Sequence, residues 1–223
     1  MDNFGFKRQS NKIRICGDLV DHPTFLFYSP NYGLNYYLFH VNIANPNAHP
    51  NLIPVVVSET QKALVGSKNI GDNVTVYGSL ASERFNEDKY STFVEYEKIF
   101  NNTLYNPFGS LCIIRGILKS PLMPVTLRNG KLVNTLILSY DKYRLPVKVS
   151  ISQNTSQNYD TIDYGDSVAC RTTLYSSSSQ YLAVHANAKI IIPQNQLEEN
   201  PRLKERFNDL DASNYALCQM LKR

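Results

Sequence analysis

The stretch Asn11-Lys12-Ile13-Arg14-Ile15-Cys16-Gly17-Asp18-Leu19 alternates apolar and polar residues with a period of two. This alternation is typical of a β-strand that buries one face. Ile13, Ile15, Gly17 and Leu19 form the expected inner face, with Cys16 among the outer residues. A glycine within a strand indicates a sharp bend or the close approach of another backbone. The stretch therefore predicts a strongly coiled strand of a small barrel.

The same pattern recurs 99 residues later, at Ile114-Arg115-Gly116-Ile117-Leu118. Three further pairs of segments follow in the same order: Ile53-Pro54-Val55-Val56-Val57-Ser58 with Leu145-Pro146-Val147-Lys148-Val149-Ser150, Gly71-Asp72-Asn73-Val74 with Gly165-Asp166-Ser167-Val168, and Lys98-Ile99 with Lys189-Ile190. Their offsets of 92, 94 and 91 residues indicate small insertions and deletions between two copies. The preserved order indicates a duplicated domain.

Each copy shows three strands, a short link and then a hairpin; in the first copy the link, Glu59 to Val65, is predicted to be helical. Five strands with a helix between the third and fourth is the order of the OB fold, which chiefly binds oligonucleotides or oligosaccharides. Asn106-Pro107-Phe108-Gly109 is the expected linker. We therefore predict an all-β chain of two tandem OB-fold barrels, residues 1–105 and 106–192, followed by a C-terminal helical tail, residues 193–223.

Composition supports a folded chain, because 43% of the 223 residues are hydrophobic and 19% are charged. No apolar run is long enough for a membrane helix and the start has no secretory signal, so we expect a cytoplasmic protein, associated with the nucleoid or in host cytoplasm if viral. The four scattered cysteines predict free, mostly buried thiols.

Charge and aromatic residues are unevenly distributed. Residues 1–105 hold 9 Lys/Arg, 10 Asp/Glu and 16 of the 25 aromatic residues, whereas residues 106–192 hold 9 Lys/Arg and 4 Asp/Glu. Basic surfaces attract phosphates and aromatic faces stack on bases, so this combination permits nucleic-acid binding. The alternative is that the 15 tyrosines pack a β-rich core and its edges.

The opening strand, together with Pro23, resembles that of bacterial single-stranded DNA-binding proteins and of the related primosomal protein PriB. Residues 53–58 and 71–78 are similar to the third and fourth strands of the same family. The resemblance covers residues 11–100 well, and residues 111–192 mainly through their likeness to the first copy. It implies a DNA-binding OB barrel with no catalytic centre and no cofactor.

The resemblance also implies a base-stacking role for Phe85, which matches an aromatic residue in the family's last hairpin. Two other stacking positions of the family fall near Leu52 and Ser58, which are not aromatic, and the family's acidic tail is missing. Nearby aromatic residues are the expected replacements for the lost rings, with edge packing as the alternative. The expected binding residues of the first copy are Arg14, Tyr28, Tyr32, Tyr36, His40, Arg84, Phe85 and Tyr90.

In the second copy the expected face is cationic, because Arg144 and Lys148 lie on the outer side of one strand. A phosphate-binding groove is the functional interpretation, and scattered solubilising charges are its alternative. The expected residues of this copy are Arg115, Arg128, Lys131, Arg144, Lys148, Arg171 and Tyr175.

The tail is predicted to begin a helix at Asn200-Pro201, since asparagine caps a helix and proline fits its first turn. A heptad-like stripe follows and fits either oligomerisation or docking against the second barrel. Its residues are Leu203, Phe207, Leu210, Asn214, Leu217 and Leu221.

No phosphate-binding glycine loop, paired metal-type cysteines or histidine pair at helical spacing is present, so the sequence favours a non-enzymatic protein without a metal. We expect it to bind single-stranded DNA, with RNA not excluded, and to coat or protect the strand in replication, recombination or repair. The alternative is a PriB-like interaction module that mainly binds replication or recombination proteins and in which one or both barrels lack nucleic-acid affinity. A nuclease on the same scaffold is the third hypothesis.

Overall fold

The computed structural model describes residues 11–30, 32–44, 48–86, 89–102, 109–126, 130, 132–140, 145–151, 162–176, 184–210 and 217, except for the side chains at 83–86, 89 and 90. Its strands are β1 (Asn11–Leu19), β2 (Thr24–Ser29), β3 (Leu34–Asn42), β4 (Leu52–Ser58), β5 (Asn73–Asn86), β6 (Lys89–Asn101), β7 (Gly109–Leu118), β8 (Met123–Thr126), β9 (Leu132–Ser139), β10 (Val147–Ile151), β11 (Ser167–Ser176) and β12 (Val184–Pro193). Its helices are α1 (Glu59–Gly66), α2 (Gln194–Glu199) and α3 (Pro201–Asn208). The predicted helical link is α1, but it follows four strands instead of the predicted three, because β2 was not among the predicted strands. Within the described part of the chain, no helix is long and apolar enough to cross a membrane.

β1 buries the predicted inner face, with Ile13, Ile15 and Leu19 almost fully inaccessible. A Cβ atom on Gly17 would lie 2.1 Å from the carbonyl oxygen of Asn42, so glycine is required where β3 crosses β1 closely. Cys16, on the opposite face of β1, is also buried, and its thiol sulfur lies 3.3 Å from the hydroxyl oxygen of Thr75. Cys16, Cys112 and Cys170 are all free and buried, which confirms the predicted buried thiols at these positions.

The chain divides into two compact units. The first consists of Lys12–Cys112 together with Thr173–Asn187. The second consists of Met1–Asn11, Ile113–Thr172 and Ala188–Arg223. In the first unit β1 pairs antiparallel with β5, β5 with β6, and β3 with β4, whereas β4 and β6 are parallel. β3 also pairs with β1, through Asp18↔Asn42 and Leu19↔Val41. The pairings β1–β5–β6–β4–β3 thus return to β1.

The strands that follow in the chain repeat this order. They pair as β7–β11–β12–β10–β9, and β9 pairs with β7 through Ile117↔Ser139 and Leu118↔Leu138. Gly116 occupies the position of Gly17, since a Cβ atom there would lie 2.7 Å from the carbonyl oxygen of Ser139. β8 extends the sheet beside β9 as β2 does beside β3.

The C-terminal segment packs on its own unit. Asn200 caps α3, as its side-chain oxygen accepts a hydrogen bond of 3.0 Å from the amide of Leu203. The apolar residues of the segment join the outward faces of β7, β11 and β12 in one buried cluster: Ile113, Ala169, Ile190, Ile192, Leu197, Leu203, Phe207 and Leu217, with Leu210 partly buried beside them. The stripe predicted from the sequence is therefore an intramolecular contact at its described positions, and Asn214 and Leu221 lie outside the described residues.

Candidate nucleic-acid interface

The β2–β3 hairpin carries three strongly exposed aromatic rings. Phe25, Tyr28 and Tyr32 are 62%, 56% and 69% exposed. Phe25 and Tyr28 lie on β2, and Tyr32 lies in the turn that precedes β3. Aromatic rings of this size are usually buried unless they meet a partner, so the hairpin is the strongest candidate for a binding surface in the described structure.

The register of the hairpin decides which rings share a face. Phe25 pairs with Tyr37 and Tyr28 pairs with Asn35, so these four side chains project from one side. We call this set the α1 face, because Glu59 and Lys62 of α1 contact it. The register shift between Phe25 and Phe27 leaves Leu26 without a direct partner on β3.

The Phe25 end of the α1 face combines an aromatic platform with a cation. Phe25 meets Tyr37 edge to face, with ring centroids 6.1 Å apart and an interplanar angle of 82°. The Lys62 ammonium lies 3.9 Å from the centroid of the Tyr37 ring, a cation–π contact. Lys62 therefore covers one face of Tyr37, whereas Phe25 remains mostly exposed and available for stacking.

The Tyr28 end of the α1 face is polar. The side-chain amide of Asn35 donates a hydrogen bond of 2.9 Å to Oε2 of Glu59. Residues paired directly across antiparallel strands have Cβ atoms about 4.5 to 5.5 Å apart, so the Tyr28 ring and this amide are neighbours. The Glu59 carboxylate and the Asn35 amide therefore belong to the Tyr28 end of this face.

The opposite face of the hairpin anchors it to the sheet. Tyr36 stacks on Phe27, with ring centroids 5.0 Å apart and an interplanar angle of 12°. Tyr36, Leu26 and Leu38 also pack against a buried cluster of Val56, Ala81 and Phe93. The edge-packing alternative therefore describes Tyr36 in this structure, and Tyr36 and Tyr28 lie on opposite faces.

His40 is held by an acidic neighbour. Its ring Nδ1 lies 2.7 Å from Oδ2 of Asp21, and its backbone amide donates a hydrogen bond of 2.6 Å to Oδ1 of the same residue. Its side chain is 16% exposed. This double contact fixes the loop after β1 to β3, which makes His40 a structural residue here.

The predicted stacking residue Phe85 lies near the tip of the β5–β6 hairpin. Arg84 pairs with Tyr90, and the register shifts between Arg84 and Asn86, so the backbone is irregular at Phe85. The side chains of Arg84, Phe85 and Tyr90 lie outside the described part of the structure. Their roles stay predictions.

Two more predicted residues have definite neighbours. Arg14 is partly exposed on β1 opposite Tyr77 of β5. Tyr175 stacks on His185 with ring centroids 5.0 Å apart, and it is 37% exposed. Neither residue belongs to the α1 face.

The assignment of Arg171 to a phosphate-binding groove was wrong. The residue is fully buried, and one terminal nitrogen of its guanidinium, Nη1, donates hydrogen bonds of 2.8 Å to the carbonyl oxygens of Phe207 and Asp209. It thus satisfies carbonyl groups at the end of α3, which would otherwise lack intrahelical partners.

Arg115 also serves the C-terminal segment. Its guanidinium donates a hydrogen bond of 2.5 Å to Asn208 and lies 3.9 Å from a carboxylate oxygen of Glu198. Burial lowers the pKa of Arg115, and the negative charge of Glu198 opposes that shift. The side chain is only 11% exposed, so it is not positioned to reach a phosphate.

Lys148, a cation predicted to bind phosphate in the second copy, is exposed in the structure. It projects from β10 opposite Ile137 of β9. The other predicted cations, Arg128, Lys131 and Arg144, lie outside the described residues.

Sequence reasoning missed Phe25 and Lys62, the two residues that give the α1 face its platform and its charge. The aromatic pattern Phe25-Leu26-Phe27-Tyr28 was a usable signal, but the bulge at Leu26 changes which residues share a face. Among the described residues, no group of His, Cys, Asp and Glu side chains could hold a metal ion.

Comparison with solved structures identifies the fold. The wild-type single-stranded DNA binding protein from Thermus aquaticus has a similar structure, with a TM-score of 0.63 and 17% identity over 83% of this chain and 93% of that chain. The N-terminal domain of PriB from Thermoanaerobacter tencongensis matches 42% of this chain and 98% of its own, with 18% identity and a TM-score of 0.34. No family model and no curated protein matches the sequence. The Thermus likeness confirms the predicted resemblance at the level of the fold.

Proposed function

We propose that the chain is a non-enzymatic single-stranded DNA-binding protein built from two tandem OB barrels of one duplicated domain. The identical pairing order of the two units supports the duplication, as do Gly17 and Gly116 at equivalent close crossings. The fold of the Thermus protein, which binds single-stranded DNA, supports the ligand class. Coating of DNA in replication, recombination or repair, in the cytoplasm, is the corresponding role.

One observation carries the proposal. Phe25, Tyr28 and Tyr32 expose large aromatic surfaces on one hairpin, and a cation, Lys62, lies beside them. Unpaired bases stack on such rings whatever their sequence, and cations neutralise the phosphates. A duplex hides its base faces within its own stack, so this surface favours single strands.

The test is fluorescence anisotropy of the full chain with labelled oligo(dT) and with a duplex of equal length. Phe25→Ala and Tyr28→Ala should each weaken oligo(dT) binding by about 1 to 3 kcal/mol, since each removes a stacking platform. Tyr164→Ala is the matched control, because Tyr164 is also strongly exposed but lies in the other unit. Equal losses for all three variants, or tighter binding to the duplex, would contradict the proposal.

A protein-interaction module is the second candidate. The near balance of 9 basic and 10 acidic residues in residues 1–105 gives the aromatic unit no net attraction for phosphate. Exposed aromatic rings are also typical of protein interfaces. Failure of the full chain to bind any single strand at low salt would favour this alternative.

A further inference from the structure

The α1 face carries an acid and a cation from one turn of a helix. Glu59 and Lys62 are three residues apart on α1, so both side chains point to the same side of that helix. Glu59 contacts Asn35 at the Tyr28 end of the face, and Lys62 contacts Tyr37 at the Phe25 end. An acid is unexpected beside a polyanion, since it repels phosphate. Glu59 is therefore expected either to contact a base or to stabilise the β2–β3 hairpin.

The hydrogen bond between Asn35 and Glu59 leaves one charged acceptor open. Asn35 donates one N–H of its NH₂ group and keeps its second N–H and its carbonyl oxygen, and Glu59 keeps its second carboxylate oxygen. Neither oxygen has a further partner among the described residues. Glu59 is exposed at the start of α1, so its free oxygen is accessible to a ligand.

Bases differ at the edge that would meet these acceptors. Cytosine presents an exocyclic amino group, N4, as a donor, whereas thymine presents the oxygen O4 as an acceptor at the equivalent position. A carboxylate oxygen accepts a hydrogen bond from cytosine N4. Thymine O4 is itself an acceptor, so it forms no hydrogen bond with the carboxylate. Both pyrimidines offer a ring of similar size for stacking on Tyr28.

We infer that the Asn35–Glu59 pair gives the α1 face a preference for cytosine over thymine, with Glu59 accepting from the base amino group and Lys62 neutralising the adjoining phosphate. This inference rests on the proposed function. Stacking on Phe25 and Tyr28 supplies the affinity, and Glu59 sets the base preference at the cost of some repulsion from the backbone. Glu59 is therefore a specificity-determining residue.

The test compares the affinities of the full chain for oligo(dC) and oligo(dT) of one length, at one salt concentration and slightly alkaline pH. The wild-type protein should bind oligo(dC) roughly five- to tenfold more tightly, as expected for the net contribution of one hydrogen bond. In Glu59→Gln the preference should fall to within about twofold, because the amide can also donate to thymine O4, and oligo(dT) affinity should rise because a negative charge is lost. Asn35→Ala should also reduce the preference.

Glu205→Gln is the matched control, since it removes the charge of an exposed glutamate on α3, in the other unit. It should keep the oligo(dC) preference of the wild-type protein. Equal affinity of the wild-type protein for both oligonucleotides, or an unchanged preference in Glu59→Gln, would overturn this inference and leave the proposed function standing. Failure of the wild-type protein to bind either oligonucleotide would overturn the proposed function itself, and this inference with it.

Discussion

Arg171 illustrates how one residue type can serve two opposite purposes. Its position in the basic second copy suggested contact with phosphates, but its guanidinium is buried and bonded to main-chain carbonyl oxygens near the end of α3. A cation is favourable at a helix C-terminus, where the helix dipole is negative. The charge excess of residues 106–192 is therefore partly structural, since Arg115 is also committed to the C-terminal segment.

Gly17 provides a test of the close strand crossing at the residue scale. Gly17→Ala should lower the free energy of unfolding by about 1 to 3 kcal/mol or more, because the new methyl group would lie 2.1 Å from the Asn42 carbonyl oxygen and must displace backbone. Urea denaturation measures the change.

Gly66→Ala is the control for that substitution. Gly66 ends α1, and a Cβ atom there meets nothing within 4 Å, so the variant should be as stable as the wild-type protein or slightly more stable. If Gly17→Ala were equally harmless, β1 and β3 would not cross as closely as described.

At the scale of elements, the two β-hairpins that extend the sheet have diverged. β2, with the sequence Thr24-Phe25-Leu26-Phe27-Tyr28-Ser29, presents rings on both faces, whereas β8, Met123-Pro124-Val125-Thr126, has none. One face of the first hairpin is anchored through Phe27 and Tyr36, which holds the rings of the α1 face in fixed positions. Stacking in the proposed function therefore belongs to the first unit.

The C-terminal segment is the element whose role the sequence left open between oligomerisation and docking. Phe207→Ala should lower the free energy of unfolding by about 3 to 5 kcal/mol, because it empties a fully buried site between α3 and the sheet. The mass of the protein in solution, measured by light scattering, should not change.

Arg202→Ala is the matched control for the Phe207 substitution, since Arg202 is exposed on the same helix. It should unfold at the wild-type urea concentration. A lower mass for Phe207→Ala with unchanged stability would show that the ring contacts another copy of the chain instead.

At the scale of the whole molecule, salt dependence should report which cations meet the strand. Each phosphate contact on a single strand contributes about 0.7 to the slope of log affinity against log salt. Lys62→Gln should reduce the slope by about that amount, and Lys148→Gln should do the same if the second unit also holds the backbone.

Lys189→Gln is the control for these two variants. Lys189 is exposed on β12 and has no place in the proposed interface, so its replacement should leave the slope unchanged. Equal slopes for Lys62→Gln and the wild-type protein would remove Lys62 from contact with phosphate.

The sequence predicted those features that depend on local pattern. The alternation from Asn11 to Leu19, the helix after Ser58 and the capping by Asn200 all depend on neighbours within a few residues, and the structure shows each of them. The fold could also be predicted, since the order of the strands and the short links between them restrict the possible topologies.

The candidate site was harder to predict from the sequence, because it depends on the register of paired strands and on which elements cover each face of the sheet. A single extra residue, Leu26, decides which side Phe25 and Tyr28 share. Arg171 bonds to carbonyl oxygens at the end of helix α3, and the sequence around Arg171 does not predict this distant contact.

By itself the sequence determined the five-strand order that makes this an OB-type fold and the glycine within the first strand, because period-two burial is a property of short segments, but it did not predict β2 and β8. Only the tertiary structure decided that Phe25 shares a face with Tyr28 beside Glu59 and Lys62, and that two arginines of the basic copy hold the C-terminal segment. The physical reason is that exposure is set by residues distant in the chain, which a local pattern does not contain.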